Sequence, residues 1–133
     1  MLTFLWRAAG SPEPESTDHP FTDLDENAYY YKAVLWGVEK EITNGTGDGT
    51  TFSPTMTCDR ATIVTFLWRY EGKPTVTDAP SFTDVEAGRF YTDAVAWAAT
   101  NGITTGKTAT TFAPTDPCSR AEGVTFLYRD IAK

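Results

Sequence analysis

Two arginines, each opening the same kind of apolar run, are the residues best placed to do chemistry. Arg60 stands in Thr57-Cys58-Asp59-Arg60-Ala61-Thr62-Ile63-Val64-Thr65-Phe66-Leu67-Trp68-Arg69, and Arg120 in Cys118-Ser119-Arg120-Ala121-Glu122-Gly123-Val124-Thr125-Phe126-Leu127-Tyr128-Arg129. An arginine in the first turn of a helix can join the exposed backbone N–H groups and the helix dipole in holding an anion, and its guanidinium binds a carboxylate through two parallel bonds. The plainer alternative for both is an ion pair with a nearby Asp or Glu. Asp59 and Ser119 are good N-cap residues, and Glu122, three beyond Ser119, completes a capping box that Thr62 leaves open in the other copy.

The other reactive side chains form no catalytic set. The single histidine, His19, sits in a polar linker, and neither Cys58 nor Cys118 has a motif-linked histidine partner. Asp23/Asp25 and Asp84/Glu86 are paired carboxylates, but a pair repeated at a helix entrance is explained by capping before glycoside cleavage. Asn44-Gly45-Thr46-Gly47-Asp48-Gly49 starts like a calcium loop, yet Thr55 stands where the twelfth, acidic ligand belongs, so the stretch reads as a turn. The chain is therefore read as a non-enzyme with no metal and no cofactor. The two cysteines share one repeat position and are read as small buried side chains beside a helix start rather than as a disulfide.

The elements that position the arginines recur. Phe21-Thr22-Asp23-Leu24 returns as Phe82-Thr83-Asp84-Val85, Ala33-Val34-Leu35-Trp36 as Ala94-Val95-Ala96-Trp97, Ile42-Thr43-Asn44-Gly45 as Ile103-Thr104-Thr105-Gly106, and Thr51-Phe52-Ser53-Pro54-Thr55 as Thr111-Phe112-Ala113-Pro114-Thr115. Met1-Leu2-Thr3-Phe4-Leu5-Trp6-Arg7 repeats the apolar half of the arginine stretch. The organisation is then residues 1–16, the last helix and linker of a truncated repeat, followed by complete repeats at 17–77 and 78–133. Helical spacing predicts a first helix near Tyr30–Glu41 and Tyr91–Asn101, with Gly102 stopping the second copy. A second helix is predicted over 60–71 and 120–131, and a matching one over Leu2–Ala9. The second helix is apolar on nearly all sides, so the copies are expected to bury one another.

With 133 residues, 41% hydrophobic and 14% aromatic, the chain can fill a packed core. Its 18 acidic and 11 basic residues leave a net charge of −7, which argues against nucleic-acid binding and requires any acidic ligand to be held by locally placed arginine. No stretch approaches the roughly 20 apolar residues of a membrane span, so no membrane insertion is expected. Because residue 1 falls inside a repeat, the chain reads as a piece whose parent could carry an export signal upstream.

The ordered series of Phe-Thr-Asp, Ala-Val-x-Trp helix, Ile-x-x-Gly, Thr-Phe-x-Pro and Arg-Ala opening an apolar helix, present twice, resembles the S-layer homology domain. The resemblance implies an all-α, pseudo-threefold array of helix-loop-helix repeats around a central three-helix bundle, with grooves between repeats. It further implies a noncovalent anchor on the bacterial cell surface, outside the cell, binding acidic, pyruvylated cell-wall polysaccharide through the Arg of a Thr-Arg-Ala-Glu motif. That motif is fuller as Ser119-Arg120-Ala121-Glu122 than as Asp59-Arg60-Ala61-Thr62, where the Asp59 charge would repel a carboxylate. Arg120 is thus the better candidate. Trp36 and Trp97 could cover a sugar face, although a tryptophan on an amphipathic helix is more often core. The competing expectation is a protein-interaction or assembly module that keeps the scaffold without glycan binding, with self-association through the truncated repeat.

Overall fold

The computed structural model describes residues 2–43, 45, 49–52, 59–77 and 82–131, apart from the side chains of Arg120, Ala121 and Ile131. Among the described residues five helices follow one another: α1 (Leu2–Ala8), α2 (Tyr31–Glu39), α3 (Arg60–Tyr70), α4 (Thr92–Thr100) and α5 (Arg120–Ile131). All lie where the hydrophobic spacing predicts them. Among the described residues there is no strand, and the fold is all-α. The first helices are shorter than predicted because the carbonyl of their third-last residue is captured early. Ile42 N–H donates to the Gly37 carbonyl at 2.8 Å and Ile103 N–H to that of Ala98 at 2.9 Å, with Glu41 (φ 58°) and Gly102 (φ 73°) turning left-handed to allow it.

The chain forms two compact units, Met1–Met56 and Thr57–Lys133, so each unit opens with the second helix of one sequence repeat and continues with the first helix of the next. In the first unit α1 packs on α2. The approach is close: a Cβ on Gly37 would stand 2.9 Å from Cδ2 of Leu2, so only a glycine fits beneath that leucine without a shift. In the second unit α3 packs on both α4 and α5. The turns after α1 and α3 are tied back the same way. The indole N–H of Trp6 donates to the Pro12 carbonyl at 2.8 Å, and that of Trp68 to the Pro74 carbonyl at 2.9 Å.

Two of the recurring motifs, Phe-Thr-Asp and Thr-Phe-x-Pro, close on one another as a clasp. In the second unit Thr83 donates its N–H (2.8 Å) and hydroxyl (3.2 Å) to the Thr110 carbonyl, while Asp84 accepts the N–H groups of Phe112 (2.9 Å) and Ala113 (2.7 Å). The first unit repeats this with Thr22 on Thr50 and Asp23 on Phe52 N–H at 2.9 Å. Phe82 packs on Phe112 and Phe21 on Phe52, with ring centroids 5.9 and 5.6 Å apart. The capping explanation of the acidic pairs is therefore corrected. Tyr30 and Tyr91 occupy the N-cap positions of α2 and α4 without a side-chain cap bond. Asp25 closes its own turn onto Asn27 N–H, and Glu86 pairs with Arg89. A carboxylate several residues ahead of a helix gains more from two loop N–H groups within reach than from a dipole that fades within one turn.

Candidate functional site

Asp59 caps α3 as its residue type predicts: its carboxylate accepts the Thr62 N–H at 2.8 Å and the Thr62 hydroxyl at 2.6 Å. The remaining first-turn donors are taken by the loop that precedes α5. Arg60 N–H donates to the Asp116 carbonyl and Ala61 N–H to that of Pro114, both at 3.0 Å, and Asp59 forms an isolated antiparallel bridge with Pro117. The N-terminus of α3 is thus satisfied by the chain itself, leaving none of these N–H groups for an anion.

The Arg60 side chain is enclosed by the same loop and by α5. The residue is 3% exposed. Its Nε–H donates to the Phe112 carbonyl at 2.8 Å, and its guanidinium carbon lies 4.8 Å from the centroid of the Phe112 ring and 5.3 Å from that of Phe126. Nη1 pairs with Oε2 of Glu122. An enclosed arginine needs a counter-ion and polar partners for its donors, and this one has a carboxylate, a carbonyl and two ring faces.

Glu122 serves two partners at once. One oxygen accepts the Ser119 N–H at 3.2 Å, and Glu122 N–H donates to the Ser119 hydroxyl at 3.0 Å, which is the predicted capping box of α5. The other oxygen faces Arg60 and lies 3.9 Å from Nζ of Lys107. Partial burial alone would push the Glu122 pKa up; the Ser119 amide, the Arg60 charge, the Ser119 side chain and Lys107 together outweigh it and hold the carboxyl below its ordinary value. A carboxyl with a depressed folded-state pKa contributes stability above its unfolded value and loses it as pH falls through the folded one. Denaturation measured from neutral to acid pH should therefore show wild type and Glu122→Gln converging in stability at the acid end; a constant gap would refute the linkage.

The predicted site residues are not all brought together. Asp59, Arg60, Ser119 and Glu122 meet at the α3–α5 contact. Arg120 opens α5 next to them, while its side chain lies outside the described residues. Trp36 (3% exposed) and Trp97 (5%) belong to the interiors of their units and show no ring face to solvent. Cys118 is half-buried, with its thiol 3.6 Å from the Ser119 carbonyl, and Cys58 lies outside the described residues. Sequence reasoning missed Lys107, Phe112 and Phe126. The signal available for Phe112 was the return of Thr-Phe-x-Pro at a fixed distance from Phe-Thr-Asp, which marks a loop held by a distant partner.

The sequence profile of the S-layer homology domain matches residues 20–63 and 81–122. Among curated proteins, the chain is 30% identical over 115 residues to an endoglucanase of Bacillus sp. (strain KSM-635), a match covering 86% of this chain and 12% of the endoglucanase. It is 35% identical over 104 residues to the surface-layer 125 kDa protein of Lysinibacillus sphaericus, covering 76% of this chain and 8% of that protein. The chain thus spans only a small part of the length of both relatives. Two profile matches in tandem, on a helical fold whose clasps are built from the recurring motifs, lead to one conclusion: the chain belongs to the S-layer homology domain family of cell-surface and cell-wall modules.

Proposed function

We propose that the chain is a noncovalent cell-wall anchor that holds acidic, pyruvylated cell-wall polysaccharide at the N-terminus of α5, with Arg120 as the binding arm. The observation that carries this reading is the inward turn of Glu122. Its charge is engaged by Arg60 and Lys107, so the carboxylate three residues from Ser119 does not oppose an incoming anion. Ser119 is exposed at the start of the helix, where the dipole favours negative charge. Arg60 and Asp59 then act as framework, ordering the loop and α5 from below. The repeat boundaries 1–16, 17–77 and 78–133 belong to the same reading.

Purified chain should sediment with isolated cell-wall polysaccharide at low salt, and Arg120→Ala should weaken retention roughly tenfold, the size of one charge-assisted contact. Wild type that stays in the supernatant would sink the anchor reading. Equal retention of Arg120→Ala and wild type would move the binding arm elsewhere.

A further inference from the structure

The carbonyl that receives Arg60 stands next to a backbone in a costly conformation. Ala113, directly after Phe112, has φ 60°, in the left-handed region that a residue bearing a Cβ enters only at a penalty. The Asp84 carboxylate holds it there with both oxygens: Oδ1 accepts the Phe112 N–H at 2.9 Å and Oδ2 the Ala113 N–H at 2.7 Å. An ionised carboxylate can serve two successive N–H groups in this way, whereas an amide would turn its own donor toward one of them.

The segment so fixed is what the first turn of α3 leans on. The Phe112 carbonyl accepts Arg60 Nε–H at 2.8 Å, and on the other side of Ala113 the Pro114 carbonyl accepts Ala61 N–H at 3.0 Å. Rotation of Ala113 into an ordinary right-handed or extended backbone would turn these two carbonyls relative to each other, so that both could no longer meet α3. Arg60 in turn engages Glu122, and Glu122 engages Ser119 through the reciprocal box at the start of α5. Contacts therefore run without a break from Asp84 through Phe112, Arg60 and Glu122 to Ser119, the residue before Arg120.

We propose that Asp84 is a positioning residue for the anion site at the start of α5: by holding Ala113 left-handed it aims the Phe112 carbonyl at Arg60, and through Arg60 it sets Glu122 and Ser119. The assignment rests on the reading of that helix start as the glycan site. Asp84 touches no sugar in this scheme. Its effect passes through one backbone torsion, which makes it separable from ordinary stabilisation.

The test uses the whole chain, with two readouts taken well below the melting temperature on variants shown by circular dichroism to be folded. One is sedimentation with cell-wall polysaccharide. The other is the water-exchange rate of the Arg60 Nε–H resonance in ¹H–¹⁵N spectra, identified by its absence from Arg60→Met. Asp84→Asn should speed that exchange and weaken retention, each by about tenfold, the size of one charge-assisted bond. Adding Ala113→Gly to Asp84→Asn should bring both readouts back to within about threefold of wild type, because glycine takes the left-handed backbone without the penalty. Ala113→Val, which keeps the carboxylate but is strained at positive φ, should reproduce both losses, and carries the test if Asp84→Asn does not fold. Asp23→Asn, which loosens the equivalent clasp onto Phe52 in the other unit, should lower the melting temperature and leave both readouts as in wild type. Unchanged Arg60 exchange in folded Asp84→Asn, or in Ala113→Val, would overturn the proposal. So would a double variant no better than Asp84→Asn, since the carboxylate would then act only as a general stabiliser. Wild type that does not sediment counts against the glycan reading, while the Arg60 resonance still decides whether Asp84 positions the framework.

Discussion

Glu122→Gln should lower the unfolding free energy by roughly 2–4 kcal/mol, and Arg60→Met by only about half as much. The asymmetry follows from which charge is left behind. Glutamine keeps the shape of Glu122 and can hold the capping box with Ser119, so the substitution removes little besides the negative charge. Arg60, 3% exposed, then has no counter-ion, and Lys107 becomes an unbalanced neighbour. Arg60 retains the Phe112 carbonyl and the two aromatic faces, which places the loss below the full penalty of an isolated buried charge. Methionine at position 60 removes the buried charge and fills much of the same volume. Glu122 is left at 29% side-chain exposure, with Ser119 and Lys107 still beside it. Urea denaturation at neutral pH, with unchanged denaturant slope, measures both variants. Glu122→Gln within about 0.5 kcal/mol of wild type, or a greater loss from Arg60→Met, would show that the pair does not hold the α3–α5 contact together.

The second large effect is expected at the clasp. Gly106→Ala should destabilise the chain by roughly 2–4 kcal/mol, whereas Gly102→Ala should cost only about 1 kcal/mol. Both glycines have positive φ, 88° and 73°, so both substitutions carry the left-handed backbone penalty. They differ in surroundings. A Cβ at Gly102 would meet nothing within 4 Å, while one at Gly106 would lie 2.6 Å from the Thr108 carbonyl oxygen, 2.7 Å from that of Thr111 and 2.7 Å from Cε1 of Phe82. The Thr111 carbonyl cannot swing aside freely, because it accepts the N–H groups of Lys107 (2.8 Å) and Thr108 (3.2 Å). Relief would have to come from Phe82 and the loop together, loosening the Asp84 bonds to Phe112 and Ala113. Thermal unfolding of the two variants separates the terms. Equal melting temperatures would mean that close packing at Gly106 contributes nothing beyond backbone conformation.

Residues near in sequence announced their own structure. The all-α class, the positions of the five helices, the cap at Asp59 and the reciprocal box between Ser119 and Glu122 follow from hydrophobic spacing and from side chains three residues from the N–H groups they serve. The tandem repeat is likewise a property of the string of letters, and with it the family. What the string could not assign were contacts spanning many residues. Asp23 and Asp84 looked like helix caps because only the neighbouring helix was in view; their partners lie 29 and 28 residues away. Arg60 and Arg120 occupy the same place in the same motif, and nothing local marks the Arg60 guanidinium as a buried one. Tertiary structure decides it by laying Phe112 and Glu122, 52 and 62 residues further on, around Arg60. The same holds for Val64 and Val124, each opening the same Val-Thr-Phe-Leu stretch, one buried and the other exposed. Local sequence sets which backbone conformation is cheap and which donors are close at hand, while burial depends on which distant segment the folded chain brings alongside.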